Sequence, residues 1–177
     1  MLEILLTLFI VLMGVLGLAS LIVRSNQAEM ESYQRVQALM LAQDMADRIN
    51  ANRKVATCYS DGGTGRRLGT GYSGTPACAG VTPQEVQAVA DMTAWNSLLT
   101  GSAEVLSGSN VGAMIGARGC VNQIDAVTQT YIVSIAWQGL APTVSSGNTC
   151  AKEVPSLYGD DTLRRVVTVT LRIATLL

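Results

Sequence analysis

Residues 4–23 read ILLTLFIVLMGVLGLASLIV, and this stretch decides the fold. Charges fall at Glu3 and then not again until Arg24; Thr7 and Ser20 carry the hydroxyls between them. About 20 apolar residues in a helix match the ~30 Å hydrocarbon layer of a bilayer. Gly14 and Gly17 weaken a helix in water but are ordinary in membrane helices. A secretory signal has a shorter apolar run, about 7–15 residues, after a basic start and before a small-x-small cleavage site. Here the run is longer, no basic residue precedes it, and the cleavage signal near Ala19 is weak. A buried core helix is disfavoured, because one domain cannot cover such a helix on every side. Residues 1–23 are therefore expected to cross a membrane. Glu3 either sits at headgroup level or pairs with a positive group in the membrane plane, since a carboxylate beside an apolar span is costly alone.

Residues 24–53 continue as RSNQAEMESYQRVQALMLAQDMADRINANR, without Gly or Pro. Ala38, Leu41, Ala42, Met45, Ala46 and Ile49 recur at three- and four-residue steps and share one face. Gln43, Asp44, Asp47 and Asn50 fall opposite, and Asp44 with Arg48 forms an i,i+4 pair. The spacing predicts one helix to about residue 52, of which the second half is an amphipathic stem.

The whole chain has 177 residues, enough for one domain. Twelve Lys plus Arg face thirteen Asp plus Glu, for a net charge of -1, so a basic nucleic-acid binder is not expected. The chain has no histidine, which removes His bases, Ser-His-Asp and Cys-His catalysis, and His metal ligands.

Residues 54–177 are expected to form a small neutral head, with eight basic and eight acidic side chains. Residues 54–81 read as a loop, because SDGGTGRRLGTGYSGTPACAG over 60–80 is rich in Gly, Ser and Thr. Thr82-Pro83-Gln84-Glu85 is a capping box with Pro at the first helical position, which predicts a helix over 82–100. Alternation predicts strands at about 119–124, 130–138 and 164–174. Three or four antiparallel strands would bury one face on the stem stripe. Residues 139–163, which hold Pro142, Gly147, Pro155 and Gly159, read as an irregular connection.

Cys58, Cys78, Cys120 and Cys150 all lie in the head, and an even count beyond a membrane span points to an oxidising compartment. Of three possible pairings, Cys58–Cys78 with Cys120–Cys150 is favoured, because each closes a local loop. No C-x-x-C pair exists, so no metal site is expected. Arg66 and Arg67 lie in a Gly-rich stretch that lacks the Gly-Lys-Ser/Thr ending of a phosphate loop. Arg164 and Arg165 are expected to protect a sheet edge from pairing, and Asp160 with Asp161 to be solvated in a turn. Nothing forms a catalytic constellation: no catalytic residue and no cofactor is expected, and the chain is not expected to be an enzyme.

An apolar N-terminal helix with one early glutamate, an amphipathic extension and a disulfide-bearing sheet head resembles the type IV pilin class. Residues 1–8, MLEILLTL, look like the region just after a prepilin cleavage site. Tyr33-Gln34-Arg35, residues 42–48 (AQDMADR) and Ala51-Asn52-Arg53 resemble the stem of PilV-type minor pilins. The segments IAWQ at 135–138 and RRVVT at 164–168 are also similar to that family. The resemblance implies a type IV pilin-like α+β fold. It also implies a basic leader and about two mature residues ahead of Met1. Arg24 and Arg35 alone would place the head inside the cell; the resemblance and the cysteines place it outside.

What the resemblance implies is a structural assembly subunit. It would be stored in the bacterial inner membrane by a single pass with its head in the periplasm, then displayed on a cell-surface pilus. It would help prime the pilus and sit in a tip-associated minor-pilin complex, serving twitching motility and adhesion. Glu3 would set register by meeting a neighbour's N-terminal ammonium, and Leu5, Leu8, Leu12 and Leu16 would pack in the filament core. Ala38, Leu41, Ala42, Met45 and Ile49 would hold the head. Implied partners are other minor pilins and the major pilin through the N-terminal helix, a large tip adhesin, and the inner-membrane assembly platform. Two rivals share the anchor: a minor pseudopilin of a type II secretion system, and a tethered binding module that never polymerises. The neutral head with one Phe, two Trp and five Tyr in the chain gives the last no support.

Overall fold

Helix α1 covers Leu2–Ala51, 50 residues, with Glu3 in its first turn and Arg48 in its last. Those charges oppose the helix dipole in the stabilising sense at both ends. The computed structural model describes residues 2–102, 105–110, 114–152, 158–159 and 161–174, with backbone alone at 105 and 109. It divides into two units, Met1–Gln34 and Arg35–Leu177. The first is helix throughout its described length, and every side chain over 2–30 is exposed.

In the second unit α1 buries Ala38, Ala42, Met45, Ala46 and Ile49. After Ala51 the backbone tightens into a 3-10 turn, Arg53–Val55, and a single helical turn, α2, Ala56–Tyr59. A further 3-10 turn, Asp61–Gly63, leads to strand β1, Arg66–Gly69. Helix α3, Pro83–Leu99, starts on a complete capping box. The Thr82 Oγ1 accepts from the Glu85 N–H at 3.3 Å, and the Glu85 carboxylate accepts from the Thr82 N–H at 3.0 Å. These bonds satisfy two of the amides a helix start leaves orphaned. The Thr82 hydroxyl, which also donates to it, holds the Glu85 carboxyl below its ordinary pKa.

A two-residue-per-strand hairpin follows, β2 (Val105–Leu106) against β3 (Ser109–Asn110). Then come β4 (Arg118–Asp125), β5 (Thr130–Gln138) and β6 (Arg164–Arg172). The main sheet has the order β1-β4-β5-β6, antiparallel throughout, so β1 and β6 are its edges. Val121, Val133 and Val169 lie opposite one another across three strands. With Tyr131, Ile135, Trp137, Val167 and Leu171 they form the face that shares a core with α1 and α3. The other face presents Cys120, Ala136 and Val166, packed with Cys150, Ala151 and Tyr158 of the 139–163 connection.

A long apolar helix, a small antiparallel sheet and two disulfides make the α+β architecture expected from the sequence. One expectation fails. Residues 54–81 are not a plain loop: they hold α2 and β1. The sequence RRLG carries one strongly apolar side chain, Leu68, so alternation gives no signal there. It becomes a strand because β4 offers it an edge, with Arg66 opposite Val121 and Gly69 opposite Arg118. Strand and helix ends elsewhere differ from expectation by a residue or two, which is the ordinary fraying range.

Close approach sets the second constraint. Trp95 on α3 is fully buried and its indole N–H donates to the Leu41 carbonyl of α1 at 2.8 Å. Its ring lies against Gly119 of β4, and any Cβ at 119 would overlap the ring carbons. Gly119→Val is therefore expected to cost about 1–3 kcal/mol through overpacking. Urea melts of the full chain in non-ionic detergent would show this as a lower midpoint at unchanged slope.

Candidate assembly surface

A helix can bury its apolar side chains only against a neighbour, and over 2–23 every side chain of α1 is exposed. Leu5, Leu8, Leu12 and Leu16 are all more than half exposed. Their steps of three, four and four place them along one side of the helix. None of the most apolar window is buried, and its mean hydropathy of 2.7 makes the helix long and apolar enough to cross a membrane. Glu3 is exposed and is the acid of this segment. The Thr7 hydroxyl donates to the Ile4 carbonyl at 2.9 Å, so it can enter an apolar surrounding with its hydrogen bond already made. Gly14 and Gly17 have nothing within 4 Å of the place a Cβ would take.

In the second unit, the end of α1 is held by packing and by one polar node. Ala38, Ala42, Met45 and Ile49 are fully buried, and Leu41 packs partly buried against the same core. The node centres on Asp91 of α3, which is 7% exposed. Its carboxylate accepts from the Tyr59 hydroxyl at 2.6 Å, the Gln87 amide at 3.0 Å and the Arg48 guanidinium at 3.2 Å. Arg48 also donates to Asp44 at 2.9 Å. Asn52 donates to the Tyr59 oxygen at 3.1 Å and to the Gln84 carbonyl at 2.7 Å. Burial, and then the adjacent Asp91 carboxylate, push the Tyr59 phenol well above its ordinary pKa. The Asp44 hydrogen bond raises that of Arg48.

The i,i+4 pair Asp44–Arg48 is thus one arm of a network that ties α1, α2 and α3 together. Sequence spacing along α1 does not reveal Asp91. A signal existed within α3: position 91 is flanked by Ala88, Met92 and Trp95, all buried, so a carboxylate there needs partners.

Cys58 bonds Cys78 and Cys120 bonds Cys150, across 20 and 30 residues. Beside each disulfide an arginine gathers the loop. Arg66 donates to the Cys58 carbonyl at 3.4 Å, to Ala77 at 2.8 Å and to Asp61 at 3.0 Å. Arg164 donates to the Cys150 and Ser146 carbonyls, each at 3.0 Å, and pairs with Asp161. This corrects the expectation for Arg164: it is 1% exposed and anchors the 139–163 connection instead of guarding an edge. Arg165 reaches the same connection, at Thr143, Ala141 and Thr162. Asp161 is an ion-pair partner and not a merely solvated turn residue; Asp160 lies outside the described residues. Among the described residues no three His, Cys, Asp or Glu side chains gather as metal ligands would.

Residues 20–92 match the model of a protein family described as Tt1218-like, Type IV pilin Tt1218. The matched stretch is under half of the chain. It runs from the end of the apolar segment through the stem and the Cys58–Cys78 loop into α3. No curated protein and no solved structure matches the chain. The match supports a pilin structural subunit. With the apolar helix it fits a membrane-associated component of a pilus.

Asp91→Ala is expected to cost about 1–3 kcal/mol, because it leaves the Tyr59 hydroxyl without its acceptor and Arg48 with Asp44 as its remaining carboxylate. Chemical denaturation of the full chain in detergent would measure it, and Tyr59→Phe in the Asp91→Ala background should cost little more. Acid should act at the other end of the sheet. The Arg164 hydrogen bond holds the Asp161 carboxyl below its ordinary range. Its contribution is present above that range and is lost as pH falls through the depressed folded value. Urea melts between pH 6 and pH 2 should therefore show a smaller acid loss for Asp161→Asn than for the native chain.

Proposed function

We propose that this chain is a minor pilin, a structural subunit of a type IV pilus. The observation that carries the reading is the bare apolar helix surface over 2–23, in a chain whose following segment matches a pilin family. Before assembly that surface lies in the bacterial inner membrane, with the head in the periplasm. On assembly, lipid contacts are exchanged for contacts with sibling helices, at little apolar cost because both surroundings are hydrocarbon-like. Leu5, Leu8, Leu12 and Leu16 form the packing side, and Ala38, Leu41, Ala42, Met45 and Ile49 carry the head on the stem.

Glu3 supplies register. In an apolar filament core an unpaired carboxylate is strongly disfavoured, so only the axial offset that brings it to a neighbour's N-terminal ammonium is stable. The subunit acts in priming the pilus, within a tip-associated complex of minor pilins and a large adhesin. Its partners are those pilins, the major pilin and the inner-membrane assembly platform, and the outcome is adhesion and twitching motility. A secretion pseudopilus would use the same anchor; deletion separates the two, since loss of surface pili with protein export intact belongs to a pilus.

Glu3→Leu should leave membrane insertion intact and reduce co-purification of the other minor pilins by roughly tenfold, the effect of about 1.4 kcal/mol. Unchanged co-purification would refute the pairing role.

A further inference from the structure

An open sheet has two edges, and an edge strand offers every second N–H and C=O to whatever lies beside it. The two edges of this sheet are finished differently. Strand β1 is four residues long. The Thr70 N–H donates to the Ala117 carbonyl, which continues the pairing with β4 and leaves the Gly69 backbone turned outward. The Gly69 N–H donates to the Asn96 side chain of α3 at 2.7 Å, so α3 covers that edge. Strand β6 is nine residues long and pairs with β5 without a break. Just beyond its ends the Gly139 N–H donates to the Leu163 carbonyl at 2.7 Å and the Ile173 N–H to the Gln129 carbonyl at 3.0 Å. These two bonds set the phase of the ladder. Arg165, Val167, Val169 and Leu171 turn their backbone groups to β5, and Val166, Thr168, Thr170 and Arg172 turn theirs outward.

Edges in soluble proteins are blunted by Pro, Lys, a bulge or a very short strand, or are covered. The sequence of β6, RRVVTVTLR, has neither Pro nor Lys, and its register with β5 holds throughout. The arginines at its start are turned elsewhere. Arg164 is buried beneath the 139–163 connection, and Arg165 donates to Thr143, Ala141 and Thr162. Thr168, Thr170 and Arg172 are exposed. Among the described residues no hydrogen bond closes the outward backbone groups of 166, 168, 170 and 172. The helix side of the same strand is unfinished too. Val169 and Ile173 pack only partly buried against the core, so a further strand there would extend the core at its rim.

We infer that the β6 edge is a docking site for an extended strand of another pilus subunit, which joins the sheet beside β6. The identity of the partner rests on the pilus role proposed above. Its form comes from the edge itself, because only an extended chain meets alternate N–H and C=O groups in register. A second copy of β6 does not fit. Antiparallel self-pairing brings Arg172 of one copy to the Arg164–Arg165 end of the other at both ends of the pair, and parallel self-pairing sets each arginine beside itself. Like charges placed opposite one another are destabilising. The charge of the edge instead selects a strand with Asp or Glu where it passes Arg172 and β-branched residues beside Thr168 and Thr170. Its alternate positions are apolar, since they meet Val167, Val169 and Leu171 on the helix side. Main-chain bonds supply the affinity, and the alternating side chains choose the partner.

The test is residue-resolved amide hydrogen exchange on the full chain in non-ionic detergent, alone and in the complex that co-purifies with the other minor pilins. The Thr168 and Thr170 amides should exchange fast in the chain alone and roughly tenfold more slowly in the complex, while those of Val167 and Val169 are protected in both. Thr168→Pro removes an outward N–H and no bond to β5. It should leave the disulfides, the circular dichroism spectrum and membrane insertion unaltered and lower co-purification roughly tenfold. Should the proline disturb the fold, Thr168→Lys combined with Thr170→Lys charges the edge instead, with the same expected loss. Equal exchange at 168 and 170 in chain and complex, or undiminished co-purification of folded edge variants, would overturn the proposal. Glu3→Leu, run alongside, keeps the two roles apart. A complex lost with Glu3→Leu and kept with the edge variants refutes the edge and leaves the assembly role in place, whereas a native chain that joins no pilin complex refutes both.

Discussion

A helix that is apolar on every side over 2–23 carries all of that surface exposed, and this constraint reaches through the rest of the molecule. Hydrocarbon is the surrounding such a surface requires, whether it comes from lipid or from other helices. Charge is therefore kept out of the span, and the hydroxyl of Thr7 is turned back onto the helix's own backbone. Glu3 stands at the edge of this segment as the one group whose burial demands a partner. The same helix changes character in its second half. There it must hold a folded domain, so its apolar residues narrow to a single stripe.

Small residues make that stripe work. Ala38, Ala42 and Ala46 let other elements come close to the helix backbone, and the indole of Trp95 uses the room to donate to the Leu41 carbonyl. Gly119 on the far side of the ring completes the fit. Asp91 adds direction to what would otherwise be a non-specific apolar contact. Its carboxylate is satisfied only when Tyr59, Gln87 and Arg48 arrive together. A displaced register would leave a charge buried alone, which is far costlier than a lost apolar contact.

Away from the helices the head relies on a different device. Its long connections are poor in large apolar residues, so they cannot be held by a core. Each is closed by a disulfide, and each disulfide has an arginine that binds the carbonyl of one of its cysteines, Arg66 at Cys58 and Arg164 at Cys150. A guanidinium suits this task, because its five donors fan out in one plane and satisfy several loop carbonyls at once. In this way backbone groups that no strand pairs still find partners.

From the amino-acid sequence alone came the long helix, the capping box at Thr82, the strands around 119–124, 130–138 and 164–174, and hence the α+β class. Each of these rests on a local rule: length of apolar run, cap chemistry or alternation, all of which act between residues a few positions apart. Only the tertiary structure decided that RRLG at 66–69 is an edge strand, since its pairing partner lies some fifty residues away on β4. The same holds for the charged groups. Asp91, Arg164 and Arg118 look alike in a sequence, as polar residues beside apolar ones. One closes a node between helices, one is sealed beneath a loop, and one keeps a buried donor unmet. What a buried charge does depends on the groups that meet it in space, and no spacing rule along the chain carries that information.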